Sequence, residues 1–294
     1  EASVSRLEAA VKAYFATPSA PRYGSGGAER PSRLVYLLDH DYSQKSLSWD
    51  HLKNGDRLRA LALRQVAERL GCEVFLALAD VHESWSCEEE DYGYRRRRSY
   101  YRDEEPQVER DAEEYALIEL IDADVELRHW IDAEGKSSEG IAVQLSDPEI
   151  CFTRPSSEMN PFKSEHEGYM GNYGNTVDRW YHRAALVMWP LSKSFELRAQ
   201  SSPSWGLSQI ASSVKRGAMD EARTRANALL PFWNRVARDD PSAKLVISLL
   251  GVLSSIGDAD LSLALLAPFG PDRISPGAMP RFVALVERFG FDWS

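Results

Sequence analysis

The sequence is poor in cysteine: it has three, Cys72, Cys87 and Cys151, in 294 residues, and no Cys-x-x-Cys pair. An odd, small number of thiols excludes a disulfide scaffold and points to a reducing, cytoplasmic setting. None of the six histidines stands in a His-x-x-x-His pattern, so no local zinc signature exists. The phosphate-cradling Gly-x-x-x-x-Gly-Lys and the nucleophile-bearing Gly-x-Ser-x-Gly are absent too. No apolar run reaches the roughly 20 residues that a membrane helix needs. The best stretch, 245–256, is broken by Ser248, Gly251, Ser254 and Ser255, so a membrane is not an expected partner. Positive charge is in deficit, with 35 Lys and Arg against 45 Asp and Glu and a net charge of −10. That balance argues against a surface built to grip nucleic acid. The chain opens on Glu1 rather than Met and shows no charged segment leading an apolar one. The expectation is a piece of a longer protein with no signal peptide in view.

What remains is material for a core: 43% of the chain is hydrophobic and 10% of the chain is aromatic, which excludes wholesale disorder. Leu7, Val11, Tyr14 and Phe15 recur at helical spacing and predict a helix over 3–16. Arg33 to Leu38 is an apolar run bounded by Pro31 and by Asp39-His40-Asp41, the pattern of a buried strand. Asp56 to Leu70 reads as a helix with Leu58, Leu61, Ala62, Val66 and Leu70 on one face, and Gly71 stands where a C-terminal glycine cap belongs. Glu73 to Val81 follows as a second buried strand, which suggests an α/β unit.

Residues 86–114 differ in kind. An acidic run meets Arg95, Arg96, Arg97 and Arg98, with tyrosines interleaved and almost nothing aliphatic to bury. The expected form is a long exposed loop whose arginine quartet binds RNA or a phosphorylated partner by charge and stacking, or pairs with its own acidic flanks. Val125, Leu127, His129 and Ile131 then alternate with Glu126, Arg128, Trp130 and Asp132, as in a strand with one face in and one out. Residues 133–136 read as a turn, and 140–145 and 149–153 as further strands. Arg179 to Pro190 reads as a strand again. Gly168, Gly171 and Gly174 precede it, as a tight loop or as a place of close backbone approach to a ligand. After Ser202-Pro203 the texture is helical throughout. A weak repeat, glycine then helix then a Pro-Phe stop at Pro231-Phe232 and again at Pro268-Phe269, suggests stacked helical hairpins.

Two stretches carry a family resemblance: residues 33–81 and 166–190, above all Gly-Asn-x-Gly followed by Asp-Arg-Trp-Tyr-His-Arg-Ala-Ala-Leu-Val. Together they resemble the C-terminal, post-catalytic region of large bacterial and fungal prolyl-hydroxylase-like oxygenases that depend on 2-oxoglutarate and Fe(II). The resemblance implies a dioxygenase (hydroxylase) whose catalytic domain lies upstream. The iron motif of that family, His-x-Asp/Glu with a distal His and a basic residue for 2-oxoglutarate, is not found in this chain. The first expectation is therefore an accessory or substrate-positioning module for a protein substrate, with Fe(II) and 2-oxoglutarate held elsewhere. The second is a non-enzymatic interaction module using the helical tail and the Arg95–Arg98 loop. A third gives the chain its own metal site, with His82 and His166 as ligands and Arg179 and Arg183 binding 2-oxoglutarate or another anion.

The expected fold is α+β. Residues 1–200 form a mixed sheet or a partial barrel, of degenerate double-stranded β-helix type, with packed helices. Residues 201–294 form an all-α domain of helical hairpins.

Overall fold

A computed structural model describes residues 2–18, 30–87, 115–138, 147–167, 175–239, 242–270 and 273–290, with 141, 143 and 145 between them. The fold is α+β: a mixed, open seven-stranded sheet and eight α-helices among the described residues. The chain divides into two compact units, one made of Glu1–Ser137 and Gln144–Met188, the other of Ser138–Val143 and Trp189–Ser294.

In the first unit, α1 (Ala2–Ala16) leads to β1 (Leu34–Leu37), α2 (Asn54–Leu70), β2 (Cys72–Cys87) and β3 (Leu117–Ile131). Then come β4 (Ser137–Ser138), β5 (Ile150–Phe152), β6 (Lys163–Glu167) and β7 (Thr176–Pro190). The strand order is β4-β3-β2-β7-β1-β5, and β6 pairs with β7 beside that path. β1 and β5 pair in parallel, while β2–β3, β1–β7 and β6–β7 are antiparallel. Cys87 donates to the Asn175 carbonyl, His82 meets Asp178 and Asp80 meets His182, so numbers fall along β7 as they rise along β2.

Gly71 ends α2 as the sequence predicts, at φ 61, the left-handed region that glycine enters without a Cβ penalty. The buried face of α2 departs from expectation. Asp56, Ala60, Leu63, Val66 and Ala67 face inward, while Leu58 and Leu61 lie in solvent. The reason is Asp56, which is fully buried. Its carboxylate accepts from the backbone N–H groups of Asp39 and His40 at 3.0 and 3.1 Å, from the Tyr42 hydroxyl at 3.0 Å and from Arg59 at 3.3 Å. His40 Nδ1 lies 2.8 Å away. These bonds fix the first turn of α2 and hence which stripe of the helix turns in.

The expected alternation on β3 also slips. His129 takes φ 52, and the pairing with β2 jumps from Arg128↔Leu78 to Ile131↔Leu76. This β-bulge moves the following residues out of phase, so Trp130 and Ile131 are both buried. Ser86 and Cys87, placed in a loop by sequence, are the last residues of β2 and pair with Glu119 and Leu117. The Arg95–Arg98 quartet and Gly168, Gly171 and Gly174 lie outside the described residues.

In the second unit α3 (Leu191–Ser201), α4 (Pro203–Lys215), α5 (Met219–Asp239), α6 (Ala243–Ile256), α7 (Ala259–Leu266) and α8 (Met279–Phe289) share one apolar core. Pro231 does not stop a helix as the repeat reading expects. It stands inside α5, on the solvent side, while Trp233 two residues on is buried and donates from Nε1 to the Leu265 carbonyl at 2.7 Å. Burial of Phe232, Trp233 and Val236 outweighs the hydrogen bond that proline removes. The α3–α4 contact is tight at Gly206, where a Cβ would come 2.9 Å from the Ala199 Cβ.

Candidate binding face

Strand alternation divides the first unit's sheet into two faces. On β7 the odd residues Val177, Arg179, Tyr181 and Arg183 are buried, and the even residues Thr176, Asp178, Trp180 and His182 are not. On β2 the odd residues Ala77, Ala79, Val81 and Glu83 are buried against the even Leu78, Asp80, His82 and Ser84.

The odd face holds charge in the interior. Arg183 is fully buried; its Nε donates to the Leu38 carbonyl at 2.8 Å, its Nη1 to Ser156 Oγ at 2.9 Å, and its Nη2 is 3.9 Å from Asp39. Burial lowers the guanidinium from its ordinary value, against the carboxylates of Asp39, Asp56 and Glu83, which raise it. Glu83 is pushed up by burial, while the Trp85 indole N–H bonded to it at 2.9 Å and the charge of Arg183 hold it down. Tyr181 is pushed up to about 12, first by burial and then by the Glu83 charge. Arg179 donates to the Tyr115 carbonyl at 3.4 Å. The Arg183 contacts tie β7 to the Leu38 and Ser156 segments.

Among the described residues, the even face is covered over only half its length. Val74 and Leu76 of β2 and Ala184, Leu186 and Met188 of β7 pack in one core with α2 and Val11 of α1. Beyond them, toward the end of β2 and the start of β7, no element among the described residues covers the face, and His182 and Phe162 are exposed there. Its side chains form rows running across the strands. One row is Asp124, His82, Trp180 and Lys163, given by the pair Asp124↔His82, the stacking of His82 on Trp180 and the pair Lys163↔Trp180. The next row is Glu126, Asp80, His182 and Phe162, given by Glu126↔Asp80, the Asp80–His182 contact and the stacking of His182 on Phe162.

The rows are tied together by ion pairs and rings. His82 lies against Trp180 with centroids 4.7 Å apart, and its Nε2 is 3.1 Å from Asp178. His182 stacks on Phe162 at 3.7 Å, and its Nδ1 is 2.7 Å from Asp80, which Arg128 also contacts. Lys163 Nζ sits 4.4 Å from the Trp180 ring centre and 2.7 Å from Glu165. Asp122, Asp124 and Glu126 of β3 are exposed, and Phe162 keeps 54% of its surface in solvent. Among the described residues, carboxylates on this patch outnumber fixed cations six to two, those of Asp80, Asp178, Glu165 and the three on β3 against Arg128 and Lys163.

The residues singled out from sequence fall apart on this sheet. His82 is on the open even face. His166 pairs with Val177 and stacks on Tyr115 at 4.1 Å, which puts it on the odd side with Arg179 and Arg183. The two histidines therefore lie on opposite faces and cannot ligate one ion. No group of three His, Cys, Asp or Glu side chains among the described residues is arranged to hold a metal. The set does not fit Fe(II) with 2-oxoglutarate: the ligands diverge, and the proposed anion-binding Arg183 is already engaged by Leu38 and Ser156. Sequence reading missed Trp180, His182, Phe162 and Asp80. The one signal for the first two was the alternation of Asp178, Trp180 and His182 with the buried set. Compared with protein-family models, curated proteins and solved structures, the chain matches none.

Proposed function

We propose that the chain is a non-catalytic binding module that holds a polypeptide partner on the open half of the even face of its sheet. The observation that carries this reading is the two neighbouring pairs of stacked rings, Phe162 on His182 and His82 on Trp180, which no described element covers beside the α2 core. A flat surface of aromatics and paired charges suits an extended polymer. Small molecules are usually held in concave, enclosed sites instead. Aromatic side chains at the centre of a patch with a charged rim are also the usual anatomy of a polypeptide interface.

The family resemblance fits the same role. A module that presents a protein substrate to a catalytic domain upstream needs a binding face and no iron triad. The divergent His82 and His166 favour this over a self-contained dioxygenase. The finer architectures, a degenerate double-stranded β-helix and a tail of stacked hairpins, are compatible with the proposal, which does not depend on them.

The test is a selection of random displayed peptides on the full chain, repeated on a Phe162→Ala/Trp180→Ala variant. The reading expects sequences enriched on the unaltered chain that are not retained by the variant. Equal enrichment on both would remove the open face as the binding surface.

A further inference from the structure

Resting on the open face as the binding surface, we infer that its partner is a cationic, extended peptide segment whose arginine or lysine side chains bridge the β3 carboxylates and the exposed Phe162 ring. Charge decides the sign. Asp122, Asp124 and Glu126 form one line along β3, opposite Ser84, His82 and Asp80 of β2. Their β2 neighbours offer no fixed cation, and the one basic residue in line, Arg128, is directed to Asp80. On the far side, Lys163 is held by Glu165. The patch thus presents surplus negative charge on one side and aromatic rings on the other.

Distance decides the form. From β3 to Phe162, beyond β7, is three strand spacings, about 14 Å, which an extended segment crosses in about four residues. One basic side chain can then lie over an aromatic ring while another reaches a carboxylate. A guanidinium or ammonium over an exposed ring is a weak contact by itself, and each exposed ion pair is weaker still. Affinity is modest and is set by several such contacts together, so it must weaken with salt.

The experiment is calorimetric titration of the full chain with three peptides of about ten residues each, alternating Gly with Arg, with Glu or with Ser. The inference expects binding of the Arg peptide alone. It expects at least about tenfold weaker binding at about 500 mM than at about 50 mM salt, because exposed charges are then screened. It expects a similar loss in Asp124→Lys/Glu126→Lys and in Phe162→Ala, whose side chains are exposed and whose folding is checked by circular dichroism and urea melting. If the Ser or Glu peptide binds and Phe162→Ala removes that binding, the face holds a polypeptide but the cationic partner is wrong. Binding of chitohexaose with none of the peptides bound would replace the polypeptide by a carbohydrate and overturn both. No binding by any probe would overturn the cationic inference, and the display selection then decides the face by itself.

Discussion

The His82 imidazole lies nearly flat on the Trp180 indole, the planes 17° from parallel, with its Nε2 at Asp178 on the same face of the sheet. The two rings sit on neighbouring strands and outside the α2 core. A stacked pair of this kind contributes about 0.5–1.5 kcal/mol beyond its buried area. Trp180→Ala should therefore lower stability by about 1–2 kcal/mol while removing partner binding. A urea melt beside a binding assay separates the two effects. A loss of binding only in proportion to unfolded protein would make the stack structural and nothing more.

Asp56 behaves oppositely. Its buried carboxylate joins the Asp39–His40 turn, Tyr42 and Arg59 to the first turn of α2. Asp56→Ala leaves the Asp39 and His40 amides and the Tyr42 hydroxyl without this acceptor, while Arg59 keeps Asp39 at 2.7 Å, and should cost about 3–5 kcal/mol. The midpoint of urea unfolding checks this. A cost below about 1 kcal/mol, the range of an exposed pair, would contradict the buried network.

Glu83 supplies a pH signature. Burial raises its carboxyl above the ordinary value, so the folded state binds more protons than the unfolded state between the two pKa values. Its stabilising contribution is present below the unfolded value, about 4.3, and is lost as pH rises through the folded value. Glu83→Gln keeps an acceptor for the Trp85 indole and removes the titration. The difference in stability, variant minus unaltered chain, should grow more favourable from about pH 4 to about pH 7. Parallel stability curves for the two proteins would show that Glu83 does not titrate in this way.

Pro231 stands inside α5 on the solvent side, where it removes one helical hydrogen bond. Pro231→Ala should raise stability by about 1–3 kcal/mol, the difference in helix propensity less any local relaxation. Thermal unfolding followed at 222 nm measures it. A destabilised variant would mean that the proline shapes the packing of Phe232 and Trp233.

Much of the fold is legible in local signals. Gly71 marks the end of α2, Arg33–Leu38 reads as a buried strand, and the helical texture after Pro203 holds. What is not legible depends on partners distant in sequence. Nothing near His129 announces the bulge that buries Trp130, because the slip is a property of its pairing with β2. Leu58 and Leu61 look like core until Asp56 fixes the helix from a turn 16 or 17 residues earlier.

The binding face hides for a further reason. On β7 the buried set contains Arg179 and Arg183 while the open set contains Trp180, so polarity points the wrong way when the strand is read alone. His182 meets Asp80 across 102 positions and His82 meets Asp178 across 96, and only the sheet register brings them together.

The most direct measurement is photo-crosslinking. A display-selected peptide carrying a diazirine is bound to the full chain, irradiated, and its attachment points are mapped by mass spectrometry. The account predicts attachment within 78–86, 122–128, 162–165 and 176–182, and its loss in Phe162→Ala/Trp180→Ala. Attachment confined to the helices of 191–289, retained in that variant, would contradict it.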